Sequence, residues 1–168
     1  RTLGGVARCK IERLESVHWM GDPSGFSASL DWHRSAARRL GNVVMPNRPI
    51  RFAGYASVFD VPDADRDTVR RGAFVRSLNA RTGPVPLLWQ HRANEQVGVI
   101  ESLSEDSRGL RAIGRIERLS SRAAKLVAQR KIDGLSFGYR AREVRQSEAG
   151  RELLSLDLFE VSLVTHPL

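Results

Sequence analysis

The sequence predicts an α+β domain, mostly antiparallel β-strands closed into a barrel and flanked by short helices. Three observations carry that prediction. Stretches in which apolar and small or polar residues alternate recur from Ile50 to Thr165, separated by Gly, Asp and Ser clusters. Beyond residue 50 only two short segments show helical spacing. Finally, strands and helices do not alternate in the βαβ rhythm that a parallel sheet requires. The 168 residues, 41% hydrophobic and 27% charged, supply one core and exclude a wholly disordered chain.

Residues 1–48 read differently from the rest and are expected to form a weakly structured N-terminal extension, with the main domain at 49–168. Gly4-Gly5, Gly21-Asp22-Pro23-Ser24-Gly25 and Gly41-Asn42 break the extension into short pieces. A helix is expected between Ser29 and Leu40, where Leu30, Ala36, Ala37 and Leu40 share a face. His18, Trp19, Trp32 and His33 match no metal spacing and are read as packing or surface residues.

In the main domain, Ile50–Phe59 alternates as a half-buried strand. The polar loop 60–71 carries Asp60, Asp63, Asp65 and Asp67 but lacks the glycine and closing glutamate of a calcium loop. Gly72–Leu78 is expected to be a short helix, with Phe74 and Leu78 one turn apart. Val85–His91 reads as a buried strand, and two more follow at Val97–Leu103 and Gly109–Ile116. Ser120 or Ser121 caps a helix running to about Lys131, closed by Gly134 as its left-handed residue. From Leu135 to Val144, Leu135, Phe137 and Tyr139 occupy one face, and Ser136, Gly138 and Arg140 the other. The last strands, Leu153–Thr165, are apolar on both faces.

Charge and cysteine content narrow the function. Net charge is +8, and 24 of the 27 basic residues are Arg, a bias that a GC-rich genome produces. The charge is spread along the chain without a dense basic tract or an aromatic ladder, so nucleic-acid binding is the minority reading. The single cysteine, Cys9, excludes an internal disulfide framework and any multi-cysteine zinc site. It fits a reducing cytoplasm. No apolar run reaches the roughly 18 residues of a membrane helix, and no cofactor or metal is expected.

Three residues have chemistry to offer. His91 ends an apolar strand, Ser136 lies between Leu135 and Phe137, and Glu160 interrupts an apolar face shared with Leu154, Leu156, Leu158 and Val164. A serine hydroxyl is a poor nucleophile unless a base takes its proton, and an imidazole base works best when a third group fixes it. Asp157, on the opposite face from Glu160, is an equally good third group on the residues alone. Gly134-Leu135-Ser136-Phe137-Gly138 spells Gly-x-Ser-x-Gly. However, the residues after Ser136 alternate as a strand rather than a helix, which excludes the nucleophile elbow of the α/β-hydrolases.

A resemblance adds what residue types leave open. Phe52–Phe59 followed by an acidic loop and Gly72-Ala73-Phe74, then Leu88–His91 with Val97-Gly98, then Gly134–Tyr139, and last Glu160–Pro167, resemble in order the tailed-phage prohead maturation proteases. The resemblance implies a β-barrel serine endopeptidase similar to the herpesvirus assemblins, with His91 as general base and Ser136 as nucleophile. Glu160 falls in the family's closing motif, Asp157 is its competitor, and His166 is a third candidate by analogy with the His-Ser-His herpes enzymes. The implied substrates are the major capsid protein, its scaffold segment and the protease itself, cut inside the assembling prohead in the host cytoplasm. Self-association within the prohead is part of the same implication. Both a prophage and a gene transfer agent carry such enzymes. The rival expectations are an inactive capsid-assembly domain and a basic nucleic-acid-binding domain.

Overall fold

The computed structural model describes residues 48–63, 65–132 and 134–165, and before them the backbone of three strands at 9–15, 38–40 and 43–45. The first of these, β1 (Cys9–Glu15), belongs to the main sheet. The next two, β2 (Arg38–Leu40) and β3 (Val43–Met45), pair only with each other, antiparallel. Residues 38–40, expected as the end of a helix, are therefore extended; 29–37 lie outside the described residues, as do His18, Trp19, Trp32 and His33.

The main sheet continues through β4 (Ile50–Val58), β5 (Asp67–Val69), β6 (Val85–Trp89), β7 (Arg92–Glu105), β8 (Gly109–Ile116), β9 (Gly134–Ser147) and β10 (Gly150–Val164). Neighbours run β10-β6-β7-β8-β4-β1-β9, and β9 pairs back onto β10, so the pairing closes on itself. Closure leaves fewer of the open edges that invite aggregation, with β5 remaining at the margin of the sheet. Most pairs are antiparallel, as the alternation implied. The exceptions are β5 and β6, which lie parallel to β10 near its two ends. The short β5 sits inside the acidic loop, where sequence reading placed only coil.

Alternation sets the inside of the barrel. Phe52, Leu87, Leu110, Ile116, Leu135, Phe137, Leu156 and Leu163 are fully buried in one core. Phe137 meets Phe74 edge-on at 5.3 Å and Tyr139 at 5.2 Å, arrangements worth about 0.5–1.5 kcal/mol beyond area burial.

Among the described residues, two short helices flank the barrel. In α1 (Val75–Asn79), Phe74 stands at the N-cap position and turns its ring into the core. In α2 (Arg122–Ala128), the Ser121 hydroxyl accepts from the Ala124 amide, as the capping serine was expected to do. The C-terminal end differs from expectation. Lys131 N–H bonds Leu126 C=O and Arg130 N–H bonds Val127 C=O, a Schellman closure whose left-handed residue is Arg130 at φ +55°. Gly134 instead opens β9.

The region after Leu153, expected as several strands, is one 15-residue strand with irregular pairing at three places. One of these, between Leu158 and Glu160, matters for the site. Leu158 lies opposite Tyr139 and Glu160 opposite Gly138, so Phe159 is an extra residue that resets the face. Glu160 therefore does not share the face of Leu156 and Leu158. It faces the same way as Ser136 and Gly138.

Candidate active site

Each member of the site is delivered by a strand or by the turn that follows one. Ser136 and Gly138 alternate with the core residues Leu135, Phe137 and Tyr139 on β9, and so point to the other face. Across the ladder, Ser162 pairs with Ser136 and Glu160 with Gly138, which puts all four on that face. On its far side β10 pairs with β6 through Val161, Ser162 and Leu163. The turn leaving β6 thus rises directly beside Ser162.

That turn carries His91. Trp89 pairs with Arg92, leaving Gln90-His91 as a two-residue hairpin loop with φ of +53° and +57°. Left-handed values at both central residues define a type I′ turn, which ordinarily takes Asn-Gly. His91 is therefore a turn residue rather than the end of a strand, and its backbone is held where few side-chain-bearing residues go. The holding contacts are explicit. Gln90 N–H donates to Leu163 C=O at 3.0 Å, the Gln90 amide to Thr165 Oγ1 at 2.6 Å, and His91 N–H to Ser162 Oγ at 3.0 Å.

The imidazole then spans two partners. Its Nε2 lies 2.8 Å from Ser136 Oγ and its Nδ1 lies 2.6 Å from Glu160 Oε1. A neutral ring protonated on Nδ1 satisfies both contacts, donating to the carboxylate and accepting from the hydroxyl. The second carboxylate oxygen, Oε2, accepts from Ser162 Oγ at 2.7 Å. Ser136, Glu160 and Ser162 are buried, while the His91 side chain is about one-third exposed (33%). The carboxylate occupies space that a side chain on residue 138 would need: a Cβ on Gly138 would lie 2.5 Å from Glu160 Oε1.

His91, Ser136 and Glu160 are thus brought together, and Asp157 is not. Its carboxylate accepts from Arg142 Nε at 2.5 Å and lies 3.8 Å from Arg76, and the Arg142 guanidinium holds it below the usual carboxylate range. His166 lies outside the described residues. Sequence reading named no role for Ser162, although it lies two residues beyond Glu160 and period 2 places both on one face. It also passed over Gly138 as an obligate gap.

The acidic loop is occupied by internal contacts. Asp63 Oδ1 accepts from the Asp65 and Asp67 amides, Asp60 pairs with Arg70, and buried Asp67 takes a forked contact from Arg151. Tyr139 also donates to Asp67 at 3.3 Å; burial first, and then that acid, push its phenol well above the ordinary value. Among the described residues no group of three or more His, Cys, Asp or Glu is placed to hold a metal ion. Among them, too, no helix is long and apolar enough to cross a membrane.

A closed barrel presenting hydroxyl, imidazole and carboxylate in one hydrogen-bonded run has the arrangement of the serine hydrolases. Comparison with known proteins narrows this further. Residues 42–168 match the model of the caudovirus prohead serine protease family, and the chain belongs to that family. It is 38% identical over 92 residues to the prohead protease of Enterobacteria phage HK97, a match covering 52% of this chain and 41% of that protein. The bacteriophage T4 capsid assembly protease has the same fold at 13% identity, with a TM-score of 0.53 over 69% of this chain and 81% of the other. The KSHV protease aligns at 19% identity and a TM-score of 0.46, covering 70% of this chain and 60% of that one.

Proposed function

We propose that this chain is a serine endopeptidase of prohead maturation, with Ser136 as nucleophile, His91 as general base and Glu160 as the group that orients the imidazole. The observation that carries the reading is the unbroken run from Ser136 Oγ to His91 Nε2 at 2.8 Å and from His91 Nδ1 to Glu160 Oε1 at 2.6 Å.

In this mechanism Ser136 Oγ attacks a peptide carbonyl as its proton passes to His91 Nε2. Glu160 stabilises the imidazolium that forms and does not itself take the proton. Backbone N–H groups bind the developing oxyanion. His91 then gives its proton to the leaving amine. Water, deprotonated in turn by His91, releases the acyl group and regenerates Ser136.

The substrates are the major capsid protein with its N-terminal scaffold segment, a separate scaffold where one exists, and the protease itself. Cleavage takes place inside the assembling prohead in the host cytoplasm. Family membership and the likeness to the HK97 prohead protease support this assignment. The test is co-expression with the capsid protein of the same particle, comparing wild type with Ser136→Ala by intact mass. A capsid protein shortened only by the wild type is expected. Equal shortening by both, or none by either with both chains folded, overturns the proposal.

A further inference from the structure

We infer that Ser162 is a positioning residue of this site, a single hydroxyl that fixes both the backbone of the base and the carboxylate behind it. The inference rests on the catalytic reading of His91, Ser136 and Glu160 and adds to it a residue that touches no reacting atom. A serine hydroxyl offers one donor and two acceptor positions. Here the donor goes to Glu160 Oε2 at 2.7 Å and an acceptor position to His91 N–H at 3.0 Å, in a residue with no exposed surface.

Each bond answers a separate need. The His91 amide sits in a left-handed turn at the end of β6, where the β6–β7 ladder gives it no partner, and Ser162 supplies one. The Glu160 carboxylate turns freely about its last torsion, which has broad wells. Held on Oε2 by Ser162 and on Oε1 by His91 Nδ1, it has one orientation. Hydroxyl donation to a carboxylate is charge-assisted and strengthened by burial. Together the two bonds set where the imidazole hangs relative to the acid that orients it. Strand pairing makes this possible: β10 lies between β9, which carries Ser136, and β6, which leads into His91, so Ser162 stands at the joint.

A plain packing role makes the opposite prediction. Alanine fills nearly the same volume as serine, so Ser162→Ala would be silent if residue 162 were merely small. Two measurements on the full chain separate the readings. One is the rate at which diisopropyl fluorophosphate modifies Ser136. The other is the far-downfield proton resonance of His91 Nδ1–H in protein labelled with 15N-histidine.

For Ser162→Ala, the modification rate is expected to fall about 10- to 100-fold, the range for loss of a hydrogen bond to a charged partner. The resonance is expected to move upfield or broaden away, and the melting temperature to fall by only a few degrees, since the His91 amide and Glu160 Oε2 each lose a partner. Ser162→Cys, which keeps the shape and a weak donor, is expected to fall between wild type and Ala. A wild-type rate and an unmoved resonance in the Ala variant overturn the inference; if that variant does not fold, the same result in the Cys variant overturns it. His91→Ala and Ser136→Ala, run alongside, keep the two claims apart. Modification persisting in either defeats the catalytic reading, whereas their inactivity with a silent Ser162→Ala defeats only the role of Ser162.

Discussion

Gly138→Ala is the substitution in which a single methyl group acts most directly on the proposed mechanism. Its Cβ would stand 2.5 Å from Glu160 Oε1, 3.0 Å from Cγ and 3.1 Å from Cδ. An ordinary carbon contact is about 3.5 Å, so the carboxylate must retreat by roughly 1 Å. The His91 Nδ1–Oε1 separation, now 2.6 Å, then opens to about 3.5 Å, beyond a useful hydrogen bond. Misplacement of that size costs about 100-fold in rate, or roughly 2.7 kcal/mol of barrier. The fold has little reason to suffer. Gly138 has no left-handed backbone, the obstructing atom ends a flexible side chain, and replacing Gly with Ala lowers unfolded-chain entropy by about 0.4–1 kcal/mol. The assay is the initial rate of capsid-protein cleavage followed by intact mass, paired with thermal unfolding. A variant with wild-type melting and a wild-type rate would refute the argument that the Glu160 carboxylate needs this space.

Other perturbations separate the site from its scaffold. Asp157→Asn is expected to leave cleavage within about twofold of wild type, because its partners are Arg142 and Arg76 rather than His91; a loss of tenfold or more would return Asp157 to the mechanism. Phe74→Ala empties a fully buried position against Phe137 and is expected to cost about 3–5 kcal/mol in urea unfolding, with a loss below 1 kcal/mol contradicting the packing described. Acid should destabilise the barrel in a definite window. Arg70 and Arg145 hold Glu152 low, Arg142 holds Asp157 low, and Tyr55 holds Asp106 low, while Arg115 and Arg51 outweigh the upward push of burial on Glu101. Carboxyls lowered by folding contribute stability that is present above about pH 4 and lost as pH falls through their lowered values. The melting temperature should therefore drop below about pH 4, and a value that stays flat or rises down to pH 3 would contradict these assignments.

How far the sequence reveals this molecule depends on whether a signal is local. Period-2 alternation located β4, β8 and β9, because each has one face on the core, and the Ser120-Ser121 pair announced α2 by its capping chemistry. Local pattern misses what pairing decides. Phe159 reads as one more strand residue, yet as a bulge it turns Glu160 from the face of Leu158 to that of Ser136. The Gln90-His91 turn carries neither the asparagine nor the glycine usual for its type, since contacts from Leu163, Thr165 and Ser162 hold it instead of intrinsic preference. Arg130 takes the left-handed position at the end of α2 that the sequence pattern assigns to Gly134. Cys9–Glu15 enters the barrel through partners some 40 and 120 residues away, and nothing in its own seven residues records them. His91, Ser136 and Glu160 could be singled out one by one as unusual residues beside apolar runs. Their meeting is a property of the β6-β10-β9 order, which no spacing along the chain encodes.

The proposed activation of Ser136 by His91 has a direct chemical readout. It is tested most directly by treating the folded chain with diisopropyl fluorophosphate and mapping the adduct by peptide mass spectrometry. One adduct is expected, on Ser136, formed by the wild type and absent from His91→Ala. An adduct on another residue, or on Ser136 at the same rate without His91, would contradict it, as would the absence of any adduct on a folded wild-type chain.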